Sequence, residues 1–407
     1  MCEESGEEFR AEAHEESCGE PRSRLSRRGL LRSAGVAAGA MTVSGVLSGT
    51  ASAAAPSAAP AAKGYGTRLV LLGTAGGPIW WKGSDRDGVS SALVVGDAIY
   101  LVDCGNSSVH NFRDAGLLGP GDGKNDLGEL RAVFLTHLHS DHVADYPGLL
   151  LYGICGGGLG RDDRPVQVFG PGRRGALPAV FPAARPTPEP VNPAAPTPGT
   201  VDMTASLVAA FATDFNDRLF DTGSPAITAR VRAHDIALPG GAAPGRKIPR
   251  LNRPIPVYED DRVRVTATLV DHGQMFPAFG FRFDTDDGSV VFSGDTTVSD
   301  NLIDLAGGCD VLVHEVIDQA WVEQSIAALP VPQETKDGYI NHMIGSHTTI
   351  EQVGKVARRA GAGKLVLNHF SPGHLPDGRW RRAGRDFAGQ VVPGRDLMQI
   401  GVGRKKH

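Results

Sequence analysis

Short apolar runs that stop at polar or glycine-rich turns set the pattern of this chain from Thr67 onward. Leu69-Val70-Leu71-Leu72 is uninterrupted, as expected of a strand covered on both faces, and it ends at Gly73-Thr74-Ala75-Gly76-Gly77. Residues 91–95 and 99–102 flank Gly96-Asp97, which predicts a hairpin. Further strand signals fall at 130–135, 263–270, 279–283, 289–292, 311–314 and 365–367. In 352–360, Val353 and Val356 have helical spacing and Gly361 supplies a C-terminal stop, so this segment reads as a helix. Strands mixed with helices and joined by hairpins predict an α/β fold of two mixed sheets flanked by helices. No repeat at a fixed period is visible.

Residues 171–260 break the pattern. They hold fifteen of the 28 prolines and lack strand alternation over most of their length. Met203, Leu207, Phe211 and Phe215 fall at helical spacing and predict one amphipathic helix there. The segment reads as a proline-rich insertion in the domain, either a surface elaboration or a lid that shapes a substrate pocket.

Composition changes the picture mainly at the N-terminus. Ser26-Arg27-Arg28-Gly29-Leu30-Leu31, a Gly/Ala-rich apolar stretch and Ala51-Ser52-Ala53 together read as a twin-arginine signal peptide over 1–53. An Ala/Pro linker over 54–66 follows, then one domain over 67–407. The expected location is therefore periplasmic, cell-wall or extracellular, with no stable membrane span once the leader is removed. Without 1–53 the chain has 35 basic and 38 acidic residues, a net charge of −3. That balance offers no basic face for a dedicated nucleic-acid binder. Cys104, Cys155 and Cys309 have no metal-site spacing and read as small core residues.

The chemistry is concentrated in His137-Leu138-His139-Ser140-Asp141-His142, directly after the strand signal at 130–135. A strand end followed by a tight loop can aim alternate side chains at one point. Imidazole with carboxylate suits zinc, and also manganese or iron.

His-x-His-x-Asp-His after an apolar strand resembles the signature of the metallo-β-lactamase superfamily, and later motifs resemble the rest of its pattern in order. They are Asp103 in Val102-Asp103-Cys104-Gly105, His272 in Asp271-His272-Gly273, Asp295 in Ser293-Gly294-Asp295-Thr296, and His369 in Asn368-His369-Phe370. The resemblance implies an αββα sandwich holding two divalent metal ions, zinc foremost. It implies that His137, His139 and His272 hold one ion, that Asp141, His142 and His369 hold the other, and that Asp295 bridges them. Asp141 would also orient a metal-bridging hydroxide, the nucleophile. His314-Glu315 and Ser346-His347-Thr348-Thr349 resemble the ribonuclease Z branch, which implies His347 as general acid oriented by Glu315. His314 reads as a core histidine, and His110, His342 and His374 as surface or rim residues, with His374 close enough to His369 in the chain to be a candidate substrate contact.

Ribonuclease Z proper carries a tRNA-gripping arm between its Gly-aromatic-Arg strand and its aspartate motif. Here Phe281-Arg282-Phe283 reaches Asp295 through an acidic hairpin and one strand, with no room for that arm. The expected enzyme is thus an exported, arylsulfatase- or phosphodiesterase-like hydrolase of a small anionic ester, with nucleic acid disfavoured and a homodimer left open. The alternatives are a ribonuclease Z-type endoribonuclease and a β-lactamase or lactonase. A non-catalytic binding protein fits poorly with a complete ligand set. Trp80 and Trp81 could pack against an aromatic leaving group or simply close the edge of the core.

Overall fold

The computed structural model describes residues 62, 64–119, 126–155, 158–181, 183 and 185–405. The leader read in 1–53 lies outside them, as does most of the linker. Fourteen strands form two seven-stranded sheets. The first contains β1 (Thr67–Gly73), β2 (Ser90–Val95), β3 (Ala98–Val102), β4 (Leu130–Phe134), β5 (Val166–Pro171) and β6 (Val231–Ile236). The second contains β7 (Ile255–Glu259), β8 (Arg264–Leu269), β9 (Phe279–Thr285), β10 (Gly288–Phe292), β11 (Val311–Ile317), β12 (Lys364–Ser371) and β13 (Gln390–Pro393). β14 (Gln399–Val402) returns to pair with β1, so the first sheet runs β14-β1-β2-β3-β4-β5-β6 and the second runs β7 through β13 in order.

The apolar runs have a direct structural cause. Alternate side chains of a strand face opposite ways, and here both directions are buried. Leu69, Leu71, Tyr100 and Phe134 point between the sheets and meet Phe279, Phe281, Phe283 and Val313. Phe134 packs edge-on against Phe283, with ring centroids 5.1 Å apart. Val70, Leu72, Leu101 and Val133 point outward onto Phe112, Tyr146, Leu149 and Leu150 of the covering helices. On the far side, Val291, Leu312 and Leu365 meet Leu302, Val353 and Val356. This four-layer order is the αββα sandwich expected from the sequence. The helix Ile350–Ala360 ends at Gly361, whose φ of 64° suits glycine at a helix stop.

The proline-rich segment differs from its sequence reading. β6 arises inside it and β7 near its end, and each forms an edge of one sheet. Apart from Val231 and Ile236 at the ends of β6, their residues are partly buried or exposed, so they lack a continuous apolar run. The predicted single helix is two, Thr200–Ala210 and Ala212–Asp221, with Phe211 between them at φ −104° and ψ 20°. Met203, Leu207 and Phe215 still pack on the core beneath, which explains their spacing. Among the described residues no helix is long and apolar enough to cross a membrane.

Candidate metal centre

The site lies where strand ends of both sheets converge. Asp103 is the first residue after β3 and adopts φ 60°, a strained region for a residue other than glycine. Its Oδ1 accepts the Thr136 backbone N–H at 2.8 Å, which fixes the exit of β4. Its Oδ2 lies 2.9 Å from His142 Nδ1. With Nδ1 held by Asp103, the ring turns its Nε2 toward the site. The four-residue helix Ser140–Val143 starts at His139. That turn from extended to helical backbone brings Asp141 and His142 back beside His137.

The second sheet supplies the rest. His272 follows β8, and its Nδ1 donates to the Ser346 carbonyl at 2.8 Å, again freeing Nε2. Asp295 follows β10 through Gly294, which holds φ 59° and has no space for a Cβ beside the Phe279 carbonyl. His369 lies in β12 at φ 45°. A Cβ on Gly76 would come within 2.4 Å of His369 Nδ1, so the loop after β1 closes over this ring only because position 76 is glycine. The next residue, Gly77, donates its N–H to Asp141 Oδ2 at 2.8 Å.

The side chains form two groups, each with ligand atoms within 4.8 Å of one another. In the first, His137 Nε2 and His272 Nε2 each lie 3.1 Å from His139 Nδ1. In the second, His369 Nε2 and His142 Nε2 lie 3.2 and 3.6 Å from Asp141 Oδ2. Asp295 Oδ2 stands between the groups. It is 3.7 and 3.8 Å from the Nε2 atoms of His272 and His137, and 3.1 and 3.4 Å from those of His369 and His142. The site residues expected from the sequence are thus brought together in full.

Hydrogen bonding alone does not account for this packing. Burial pushes His272 down to about 3 and His137 well below its ordinary value, so both rings are neutral. A single N–H on His139 cannot satisfy both neighbours at 3.1 Å. His142 Nε2 and Asp295 Oδ1 are buried with no hydrogen-bond partner. Donors held about 2.0–2.1 Å from one tetrahedral cation sit about 3.3 Å apart, close to the spacings here. The residues therefore fit divalent ions. Burial would raise the Asp141 carboxyl, but His142 and His369 outweigh it and hold it well below the usual carboxylate range.

Beside this cradle, Glu315 is buried in β11 and uses Oε1 for three donors. These are Thr296 N–H at 3.1 Å, Thr348 N–H at 3.0 Å and His347 Nδ1 at 3.2 Å. Burial alone would lower the His347 pKa, but Glu315, Asp295 and Asp141 push it up to about 9. Its ring stacks on His369 at 5.7 Å and lies 3.9 Å from Asp295 Oδ2. His314 is fully buried and donates Nδ1–H to the Glu315 carbonyl at 2.8 Å, as a core histidine would. His110 is on the surface beside Asp114. His342 is exposed and lies near enough to His347 for that charge to lower its pKa in addition to desolvation.

Three contributors escaped the sequence reading because they act through backbone atoms: Gly77 N–H, the Ser346 carbonyl and the Thr296 N–H. Trp321 was also missed. It lies in the helix Gln319–Ala327, packed 5.4 Å from Trp81 and 6.0 Å from His374.

Comparison with known proteins agrees with this geometry. Residues 230–370 match the family described as "Beta-lactamase superfamily domain", a span that includes His272, Asp295, Glu315, His347 and His369. The chain is 31% identical over 338 residues to ribonuclease Z of Mycobacterium avium, covering 82% of this chain and 98% of that protein. It is 28% identical over 337 residues to ribonuclease Z of Mycobacterium bovis, with the same coverage. The fold matches human short-form tRNase Z with a TM-score of 0.52 and 18% identity, over 83% of this chain and all of that one.

The αββα frame and the cradle of metal-ligating side chains are those of a metallo-β-lactamase-fold, metal-dependent hydrolase acting on ester bonds. Within that superfamily, the chain belongs to the ribonuclease Z family.

Proposed function

We propose that this chain cleaves phosphodiesters by ribonuclease Z-type chemistry, with RNA as the first substrate to test. The observation that carries the reading is the Glu315–His347 pair, which holds a protonated imidazole at the edge of the cradle. The alkoxide that departs from a phosphodiester needs a proton, and an imidazole held protonated at that place can supply it. The ribonuclease Z relatives support this alternative over the arylsulfatase expected from the sequence.

In this reading His137, His139 and His272 would hold one divalent ion, Asp141, His142 and His369 would hold the second, and Asp295, standing between the groups, would serve both. Zinc is the first choice, and manganese or iron suit the same donors. Such ions, when bound, lower the pKa of water and neutralise charge on a phosphoryl oxygen. The protein's own groups do the rest. Ionised Asp141 accepts a hydrogen bond from the attacking water and sets its direction. Asp103 and the Ser346 carbonyl fix ring orientation before substrate arrives. With His347 Nδ1–H held by Glu315, Nε2–H is the proton available to the departing oxygen.

A second reading, a small phosphodiester, is favoured by one observation. β9 and β10 are joined by Asp286-Asp287 alone, so the loop where a tRNA-gripping arm would lie has two residues. Metal-analysed protein is assayed against a tRNA precursor with a 3′ trailer, bis-p-nitrophenyl phosphate and p-nitrophenyl sulfate. Cleavage of either phosphodiester is expected. Turnover of the sulfate alone, with two metals bound, would overturn the proposal.

A further inference from the structure

The proline-rich insertion leaves the first sheet beside the metal cradle. Its parent strand β5 pairs with β4, and the Leu135 N–H donates to the Phe169 carbonyl at 2.8 Å, two residues before His137. From Gly172 to Phe181 the chain has no regular structure, and its residues are mostly exposed. Two ties hold its root to the returning limb. Arg173 grips Asp202 through hydrogen bonds of 2.6 and 2.7 Å, and the Gly175 N–H donates to Thr197 Oγ1 at 3.3 Å. A run of this length reaches up to about 30 Å when extended.

The run ends on the other side of the cradle. A Cβ on Gly338 would come within 2.2 Å of Phe181 Cζ and 2.3 Å of its Cε1, so the ring edge rests on the backbone of the helix Gln333–Ile344. Glycine weakens the middle of a helix, and the ring gives a reason for it here, since no other residue leaves that space open. His342 follows Gly338 by four residues on the same helix face. It lies within electrostatic reach of both His139 and His347. The helix stops at Gly345, directly before Ser346, whose carbonyl orients His272, and before His347. The root of the run thus adjoins His137, and its landing point is one turn from the rim formed by His139 and His347.

We infer that residues 172–181 form a strap across the mouth of the cradle, latched by Phe181 on Gly338, and that this latch decides how large a phosphodiester can enter. This rests on the phosphodiesterase reading and narrows its substrate. With the strap latched, a small diester reaches the cradle and a folded RNA is held off until the ring lets go. The ring is 49% exposed, so the latch is a weak one that can open.

The test compares bis-p-nitrophenyl phosphate with a tRNA precursor as substrates of the metal-loaded protein. In Phe181→Ala, kcat/KM for the precursor should rise on the order of 10-fold relative to that for the small diester, because binding that needs the open form scales with the fraction open. Gly338→Ala breaks the same contact from the other side. Alanine is the better helix former, so the helix keeps its fold while the new Cβ displaces the ring. It should give the same rise, and the double variant no more than either alone. Val191→Ala, at a side chain 91% exposed on the returning limb, should change nothing. Independently of turnover, Phe181→Ala should bind fluorescently labelled tRNA more tightly than the native protein. A substrate ratio and a tRNA affinity that are unchanged or lowered in both variants would overturn the latch. Tighter tRNA binding by Phe181→Ala, with no phosphodiester hydrolysed by any form, would keep the latch and sink the proposed activity.

Discussion

The two sheets repeat one plan and use it differently. Counted from the edge formed by β14 in the first and by β7 in the second, each has three antiparallel pairings followed by three parallel ones. Asp103 and Asp295 then follow matching strands, β3 and β10. The first half places His137, His139, Asp141 and His142 in one turn after β4. The second half places His272 and Asp295 just past the ends of two strands, β8 and β10, and His369 within a third, β12. A ligand set within six residues depends on one local turn, whereas a set spread over β8, β10 and β12 depends on the register of a whole sheet. The symmetry lies in the frame, and the chemistry comes from breaking it.

The strongest way to break the comparison is at the residue both groups share. Asp295→Ala should release the ion on each side and abolish turnover, read as metal content falling from two per chain toward zero. Retention of one tightly held ion would show that the halves bind independently. His347→Ala comes next, with metal content unchanged and kcat lower by about 10²–10⁴-fold, the usual worth of a general acid. The loss should be smaller for a p-nitrophenolate leaving group, which departs without a proton, than for an alkoxide. An equal loss on both would remove His347 from that role.

How much of this was legible follows from the same contrast. The His137–His142 run could be read directly because its geometry is local. His272 and Asp295 could be read because each follows a strand signal, and His369 because it lies near the end of a buried apolar strand. β6 and β7 were not legible: they are edge strands inside a proline-rich segment and bury too little for a continuous apolar run. The shared strand order left no sequence repeat because pairing direction is set by backbone connectivity, not by side-chain identity. Gly77 N–H and the Ser346 carbonyl were invisible for a simpler reason, since any residue supplies those atoms.

A smaller effect sharpens the Asp103–Asp295 correspondence. Asp103→Asn keeps a side chain that tolerates positive φ, so the fold should survive while the charge that orients His142 is lost. Affinity for the ion on the His142 side should fall about 10–100-fold, the range for such outer partners. The ion held by His137, His139 and His272 should be retained. Titration of metal-free protein would then show one strong and one weakened site, and equal weakening of both would mean Asp103 acts on the frame rather than on His142.

The smallest predicted effect is a shift in pH. His347 works as an acid, so its contribution is present while the ring is protonated and is lost as pH rises through its pKa. That pKa is raised to about 9, chiefly because the adjacent Glu315 charge overcomes the cost of burial. The rate should therefore show an alkaline limb governed by His347. Glu315→Gln removes the charge but keeps an oxygen able to accept from Nδ1, so the limb should move to lower pH with metal content unchanged. A limb that stays in place in Glu315→Gln but vanishes in His347→Ala would mean that Asp295 and Asp141, not Glu315, hold the proton on that ring.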